Sequence, residues 1–130
     1  MIQPQELRIG NYVEYRIQDE LDDRKEWWEL STIDSTDLQI LESGIDDDYR
    51  AIELTEEILL KFGFEKIKSD EYPHKFIINK DMRDEVEIEN LNSQNCFVFS
   101  HGKKFSSIKI EYVHQLQNLY FSLTGKELAF

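Results

Sequence analysis

Histidine and cysteine side chains most often carry metal or nucleophilic chemistry, and this chain has few of them. None of the three histidines (His74, His101 and His114) is followed, three or four residues later, by another histidine, a cysteine or a carboxylate. Metal sites favour such spacings. Cys96 precedes an apolar run, which is typical of a buried small side chain rather than a nucleophile. The sequence therefore predicts neither a metal site nor a reactive thiol.

Carboxylates are plentiful, but their pattern matches no catalytic or cation-binding motif. An EF-hand loop beginning at Asp46 would need an oxygen ligand at position five and glycine at position six, where Arg50 and Ala51 stand. The Gly125-Lys126 pair closes a predicted helix rather than opening one, so it is no phosphate-binding loop. We therefore expect no catalytic residue, no cofactor and no small-molecule substrate. A hydrolase with carboxylate chemistry is the least favoured alternative.

The negative charge is concentrated in one stretch of the chain. The sequence has 15 Lys+Arg against 27 Asp+Glu, a formal charge of −12. Residues 19–57 contain 15 acidic and three basic residues, which is the whole imbalance. Direct nucleic-acid binding depends on Lys and Arg neutralising phosphates, so it is not expected. The candidate partner-binding residues are acidic loop residues and neighbouring aromatic ones: Asp19, Glu20, Asp22, Asp23, Trp27, Trp28, Asp46, Asp47 and Asp48.

Two interpretations of these residues remain open at this point. Charge runs are usually solvated loop tips, and aromatic residues in a small domain usually fill its core. Alternatively, acidic and aromatic groups together form a surface for an unidentified protein partner with a basic surface. The second interpretation gives a non-catalytic protein-interaction module. Its alternative form is an acidic DNA mimic that inhibits a host DNA-binding protein.

The N-terminal part, residues 1–54, shows the alternation of short strands. We predict strands at 11–17, 27–33, 38–41 and 49–54, with the two acidic clusters in the connecting loops. Adjacent Trp27 and Trp28 must then point to opposite faces. Such short strands predict a small curled sheet or an SH3-like barrel.

The second part, residues 55–130, begins with a short helix whose two ends are visible in the sequence. Thr55 is a suitable N-cap, and Gly63 supplies the left-handed residue after the helix. Short strands at 64–68, 75–79, 85–89, 95–100 and 107–111 predict an antiparallel meander. A final helix over 112–124 carries an apolar stripe and should cover this sheet, with its leucines and Tyr120 buried. The fold class is α+β, with both parts in one compact unit.

Three segments taken together resemble a family of small uncharacterised proteins from Bacteroidetes bacteria and their phages and prophages. They are residues 7–13 (LRIGNYV), 52–64 (IELTEEILLKFGF) and 112–128, whose His-Gln-Leu-Gln-Asn-Leu-Tyr-Phe run is the most distinctive piece. Glu53 stands where the family pattern has a proline. The resemblance implies a bacterial cytoplasm and a mobile-element origin, and it brings no activity, cofactor or catalytic residue.

Composition adds an expectation about location. No apolar run approaches the ~18–20 residues that a membrane span needs, and no secretory signal is visible at the N-terminus. A single cysteine suits a reducing compartment. We therefore expect a cytoplasmic protein that binds no membrane.

Overall fold

A computed structural model describes residues 6–22, 24–42, 48–67, 75–89, 97–100, 103–106 and 110–130. The elements in chain order are β1 (Tyr12–Gln18), β2 (Glu26–Thr32), α1 (Ser35–Glu42), β3 (Tyr49–Arg50), α2 (Glu56–Phe62), β4 (Glu65–Ile67), β5 (Lys75–Ile78), β6 (Val86–Glu89), β7 (Phe97–Ser100), β8 (Lys103–Ser106) and α3 (Val113–Thr124). They form two structural units. Unit 1 comprises Met1–Glu53 with Tyr112–Asn118, and unit 2 comprises Leu54–Glu111 with Leu119–Phe130.

Unit 1 contains a three-stranded antiparallel sheet with the order β2-β1-β3. Because side chains alternate along a strand, the odd-numbered residues of β1 share one face. Val13 on that face is fully buried, and Tyr15 packs against the same core. The buried members of this core are Leu7, Val13, Ile33, Leu41 and Tyr49. Within the described residues the sheet is open, so of the two predicted forms the small sheet is correct and the closed barrel is not.

Helix α1 corrects the strand predicted at residues 38–41. Asp34 and Asp37 each accept a hydrogen bond from the other's backbone N–H, at 2.9 Å in both directions. This reciprocal pairing is a capping box, and it starts a helix immediately after β2. Leu38 and Leu41, three residues apart, then lie on one side of the helix and pack on the unit 1 core. The apolar alternation at 38–41 is therefore helical spacing.

Helix α2 in unit 2 has both predicted caps. The Thr55 side chain accepts a hydrogen bond from the Ile58 N–H. At the other end Gly63 has φ 101°, and the N–H groups of Gly63 and Phe64 donate to the Leu60 and Leu59 carbonyls. These two bonds are the Schellman arrangement. The predicted helix is confirmed at both ends.

The second sheet, in unit 2, has the order β4-β5-β6-β7-β8, with every neighbouring pair antiparallel. This confirms the predicted meander, and Phe76, Val86 and Ile88 are its most buried described side chains. β8 lies at Lys103–Ser106, ahead of the strand predicted at 107–111, and residues 107–109 of that prediction lie outside the described residues. β8 is an edge strand, where lysine is common, so the two adjacent lysines of this segment are compatible with it.

Helix α3 confirms the predicted C-terminal helix and contributes to both units. Its N–terminal part, up to Asn118, belongs to unit 1, and its remainder belongs to unit 2. Leu116 and Tyr120 are buried as predicted, but Leu119 and Leu123 are only half-buried. The helix ends before Gly125, which has φ 72° and whose N–H donates to the Phe121 carbonyl. None of the helices in the described residues is both long and apolar enough to cross a membrane.

Candidate functional site

The β1–β2 hairpin loop contains the first acidic cluster, and two of its carboxylates shape the loop. The Asp19 N–H donates to the Lys25 carbonyl at 2.9 Å, which closes the hairpin. The side chain of Asp19 accepts from the Leu21 N–H at 2.9 Å, and that of Asp22 from the Arg24 N–H at 3.0 Å. Local acceptors of this kind favour tight turns. Asp19 and Asp22 are therefore half-buried loop-forming residues, while neighbouring Glu20 is exposed.

The outer face of the unit 1 sheet carries the even-numbered residues of β1 and β2. Trp28 lies on this face, and the Arg50 guanidinium is 4.1 Å from the centre of its ring. Arg50 Nε also donates to Glu14 Oε2 at 2.8 Å. A cation over an indole face is attracted by the ring's negative centre. The result is an aromatic surface held in place by charged neighbours.

A second ion pair on the same face involves Asp48, the last residue of the acidic cluster at 46–48. Arg16 Nε donates to Asp48 Oδ1 at 2.8 Å, and the Arg16 guanidinium is also 3.7 Å from Glu26. The Asp48 carbonyl accepts from the Arg16 N–H at 2.7 Å, which extends the β1–β3 pairing by one residue. Asp48 is thus neutralised within the sheet rather than presented as a free charge at a loop tip.

The predicted candidate residues are therefore only partly brought together. Trp27 and Trp28 lie on opposite faces, as expected, and Trp27 is the more exposed of the two, with 44% of its surface accessible. Its indole N–H donates to Glu29. Asp23, Asp46 and Asp47 lie outside the described residues.

A buried polar network in unit 1 involves residues that the sequence interpretation did not single out. Asn11 and Gln117 are fully buried. Gln117 accepts from the Tyr12 N–H at 2.8 Å and donates to the Gly10 carbonyl at 3.2 Å. Asn118 accepts from Asn11 at 2.9 Å and from the Arg8 guanidinium at 3.2 Å.

The network joins residues 8–12, which lead into β1, to Gln117 and Asn118 of helix α3. Gln117 serves as the hydrogen-bond acceptor for the Tyr12 N–H at the start of β1. Even-numbered N–H groups of β1 point toward β3, but β3 is only two residues long and does not reach Tyr12. The Gln117 side chain accepts the hydrogen bond from the Tyr12 N–H that a longer β3 would accept. The distinctive polar residues of the final helix are accordingly structural.

His114 is the unusual member of this region. It is buried, and neither ring nitrogen has a hydrogen-bond partner among the described residues. Its Nε2 is 3.5 Å from the half-exposed Glu6 carboxylate, and its ring stacks on Tyr112. Burial lowers the pKa of His114, and the nearby Glu6 only partly offsets this. Burial therefore favours the neutral form of this histidine.

Two further pKa shifts mark local structure. The pKa of Asp34 is lowered by the hydrogen bond from the Asp37 backbone N–H in the α1 capping box. The pKa of Lys126 is raised by its hydrogen bond to Asp84, at 2.8 Å.

Lys126 and Asp84 border a surface depression of about 440 Å³ with Arg83, Leu123 and Thr124.

No group of three or more histidine, cysteine, aspartate or glutamate side chains within the described residues is placed to hold a metal ion.

A comparison of the chain with protein-family models, with curated proteins and with solved structures finds no match in any of the three. The features that bear on function are therefore those of the chain's own surface.

Proposed function

We propose that this chain is a non-catalytic protein-interaction module that binds a basic partner protein through the acidic, aromatic surface of unit 1. The observation that carries the proposal is the outer face of the β2-β1-β3 sheet. Trp28 is stacked by Arg50 on this face, and Leu30 beside it is 55% exposed. Rigid aromatic anchors within a polar surround are typical of protein interfaces.

Charge supports a basic partner. Residues 12–32 contain seven acidic and three basic residues, and one of those basic residues, Arg16, is already engaged by Asp48. The remaining field is negative, so it would steer a positively charged protein toward the hairpin. The family resemblance is in keeping with a bacterial protein of mobile-element type, acting in the cytoplasm.

The same ion pairs weigh against the DNA-mimic alternative. A phosphate mimic needs rows of unpaired carboxylates at about the spacing of duplex phosphates. On the outer face of this sheet, the carboxylates of Glu14 and Asp48 are instead neutralised by arginines. An interface with a protein, in which aromatic side chains contribute, fits this face better.

The test is retention of bacterial proteins on the immobilised full chain at low and high ionic strength. Exposed carboxylates near the hairpin are removed in Glu20→Gln/Glu29→Gln. The matched control, Glu57→Gln/Glu65→Gln, removes two exposed carboxylates of unit 2. We expect a basic protein that is retained at low salt, released at high salt, and lost only with the first variant. Retention that is equal for both variants, or insensitive to salt, would contradict the proposal.

A further inference from the structure

The backbone pairing of β2 shows which of its hydrogen-bonding groups face away from β1. At one end of the ladder the Asp19 N–H donates to Lys25, and at the other the Ile33 N–H donates to Asn11. In an antiparallel pair, hydrogen-bonded positions alternate. The odd-numbered residues of β2 therefore bond to β1. The backbone N–H and C=O groups that point outward are those of the even-numbered residues: Glu26, Trp28, Leu30 and Thr32.

This outer edge is unpaired within the part of the chain that the structure describes. β2 is the terminal strand of its sheet, and among the described residues its backbone bonds only to β1. Natural edge strands are usually shortened, bulged, or interrupted by lysine or proline, which prevents another chain from pairing with them. β2 has seven residues in continuous register, with no lysine and no proline. β2 therefore keeps the regular backbone geometry that another strand needs in order to pair with it.

The charge on β2 indicates which kind of strand could pair with its free edge. The Glu29 carboxylate lies on one side of this exposed strand, beside the negative hairpin loop, whereas Glu26 on the other side is 3.7 Å from the Arg16 guanidinium. A second copy of the chain would place its own β2 carboxylates against these, and each copy carries a charge of −12. Like charges on paired strands are destabilising, whereas opposite charges are favourable. The edge is therefore suited to a basic strand rather than to itself.

We propose that the β2 edge binds an extended, basic segment of a partner protein as an added strand. This rests on the proposed function and specifies how the partner is held. Side chains of an added strand alternate between the two faces. Those on the side of Trp27 and Glu29 would be Lys or Arg. Those on the side of Trp28 and Leu30 would be apolar, so the partner segment alternates basic and apolar residues.

A labelled synthetic peptide of alternating lysine and valine tests this, with its binding to the full chain measured by fluorescence anisotropy. The decisive control is the same peptide with N-methyl groups on every second amide, which keeps its charges but blocks ladder bonds along one edge. Both methylation registers are used, because the docking register is not fixed in advance. We expect one of the two N-methylated peptides to bind at least about tenfold more weakly than the parent peptide.

The matching protein variant is Leu30→Pro, which removes one outward N–H and no bond to β1, since proline is tolerated at an outward edge position. We expect it to weaken binding by a similar factor while its circular dichroism spectrum stays unchanged. Salt-sensitive binding that tolerates both N-methylated peptides would overturn strand addition but leave the basic-partner proposal standing. No peptide binding, or a β2-mediated dimer in sedimentation experiments, would also overturn it.

Discussion

Replacing Gln117 with alanine should destabilise unit 1 out of proportion to the size of the side chain. The buried amide of Gln117 accepts from the Tyr12 N–H at 2.8 Å and donates to the Gly10 carbonyl at 3.2 Å, and both backbone groups are part-buried. A buried polar group left without a partner costs about 1–3 kcal/mol. Two such groups together give a loss of about 2–6 kcal/mol, a large share of a total stability of ~5–15 kcal/mol.

Urea unfolding measures this loss as a shift of the midpoint at unchanged slope. The matched control is Gln39→Ala, which removes the same side chain from an exposed position of α1 in the same unit. We expect the control to change the free energy of unfolding by less than about 0.5 kcal/mol. Amide hydrogen exchange supplies a local readout, because the Tyr12 N–H should lose protection in Gln117→Ala alone. A stability loss within about 0.5 kcal/mol of the control would refute the structural role of the network.

Three further changes follow from burial, titration and backbone geometry. Leu116→Ala should cost about 2–5 kcal/mol in urea unfolding because Leu116 is fully buried, and Leu123→Ala less because Leu123 is half-buried; equal losses would contradict this. Since the pKa of His114 is lower in the fold than its ordinary value near 6.5, the unfolded chain binds more protons, so stability should fall as pH drops below about 6.5. His114→Phe should remove this dependence in pH-resolved melts, and an unchanged pH profile would exclude it. Gly63→Ala should cost about 1–2 kcal/mol by thermal unfolding, entirely from its φ of 101°, because the added Cβ meets Ile78 at an ordinary 3.9 Å; an unchanged melting temperature would contradict this.

Elements whose determinants are local in sequence were predictable. Helix α2 is the clearest case, since Thr55 and Gly63 fix its ends by interactions within three to five residues. Helix α1 has an equally local signal, although the apolar pattern of residues 38–41 predicts a strand. Asp34 and Asp37 have the capping-box spacing, and Leu38 and Leu41 continue it with a helical interval. Short apolar runs can satisfy both the helical and the strand period, so the capping box is the feature that distinguishes the helix here.

The ion pairs of the candidate surface could not be predicted from the sequence, because they depend on the strand register between distant residues. The pairing of Arg50 with Glu14 and of Arg16 with Asp48 requires β3 to lie beside β1. Nothing in the local charge pattern specifies this arrangement. The roles of Gln117 and Asn118 are also non-local, since their partners lie more than 100 positions earlier in the chain. Composition located the negative charge but could not show which carboxylates are neutralised.

The alternation of β1 and β2 divides the unit 1 sheet into two faces with different tasks. The odd face carries Val13, Tyr15 and the cross-strand partner Tyr49, so its side chains supply the core. The even face carries Leu30, which is exposed, and Trp28, which is half-buried beneath the Arg50 guanidinium. Substitutions on the even face can therefore change partner binding without the loss of core packing that odd-face substitutions would cause. That separation allows the interaction proposal to be tested in a folded protein.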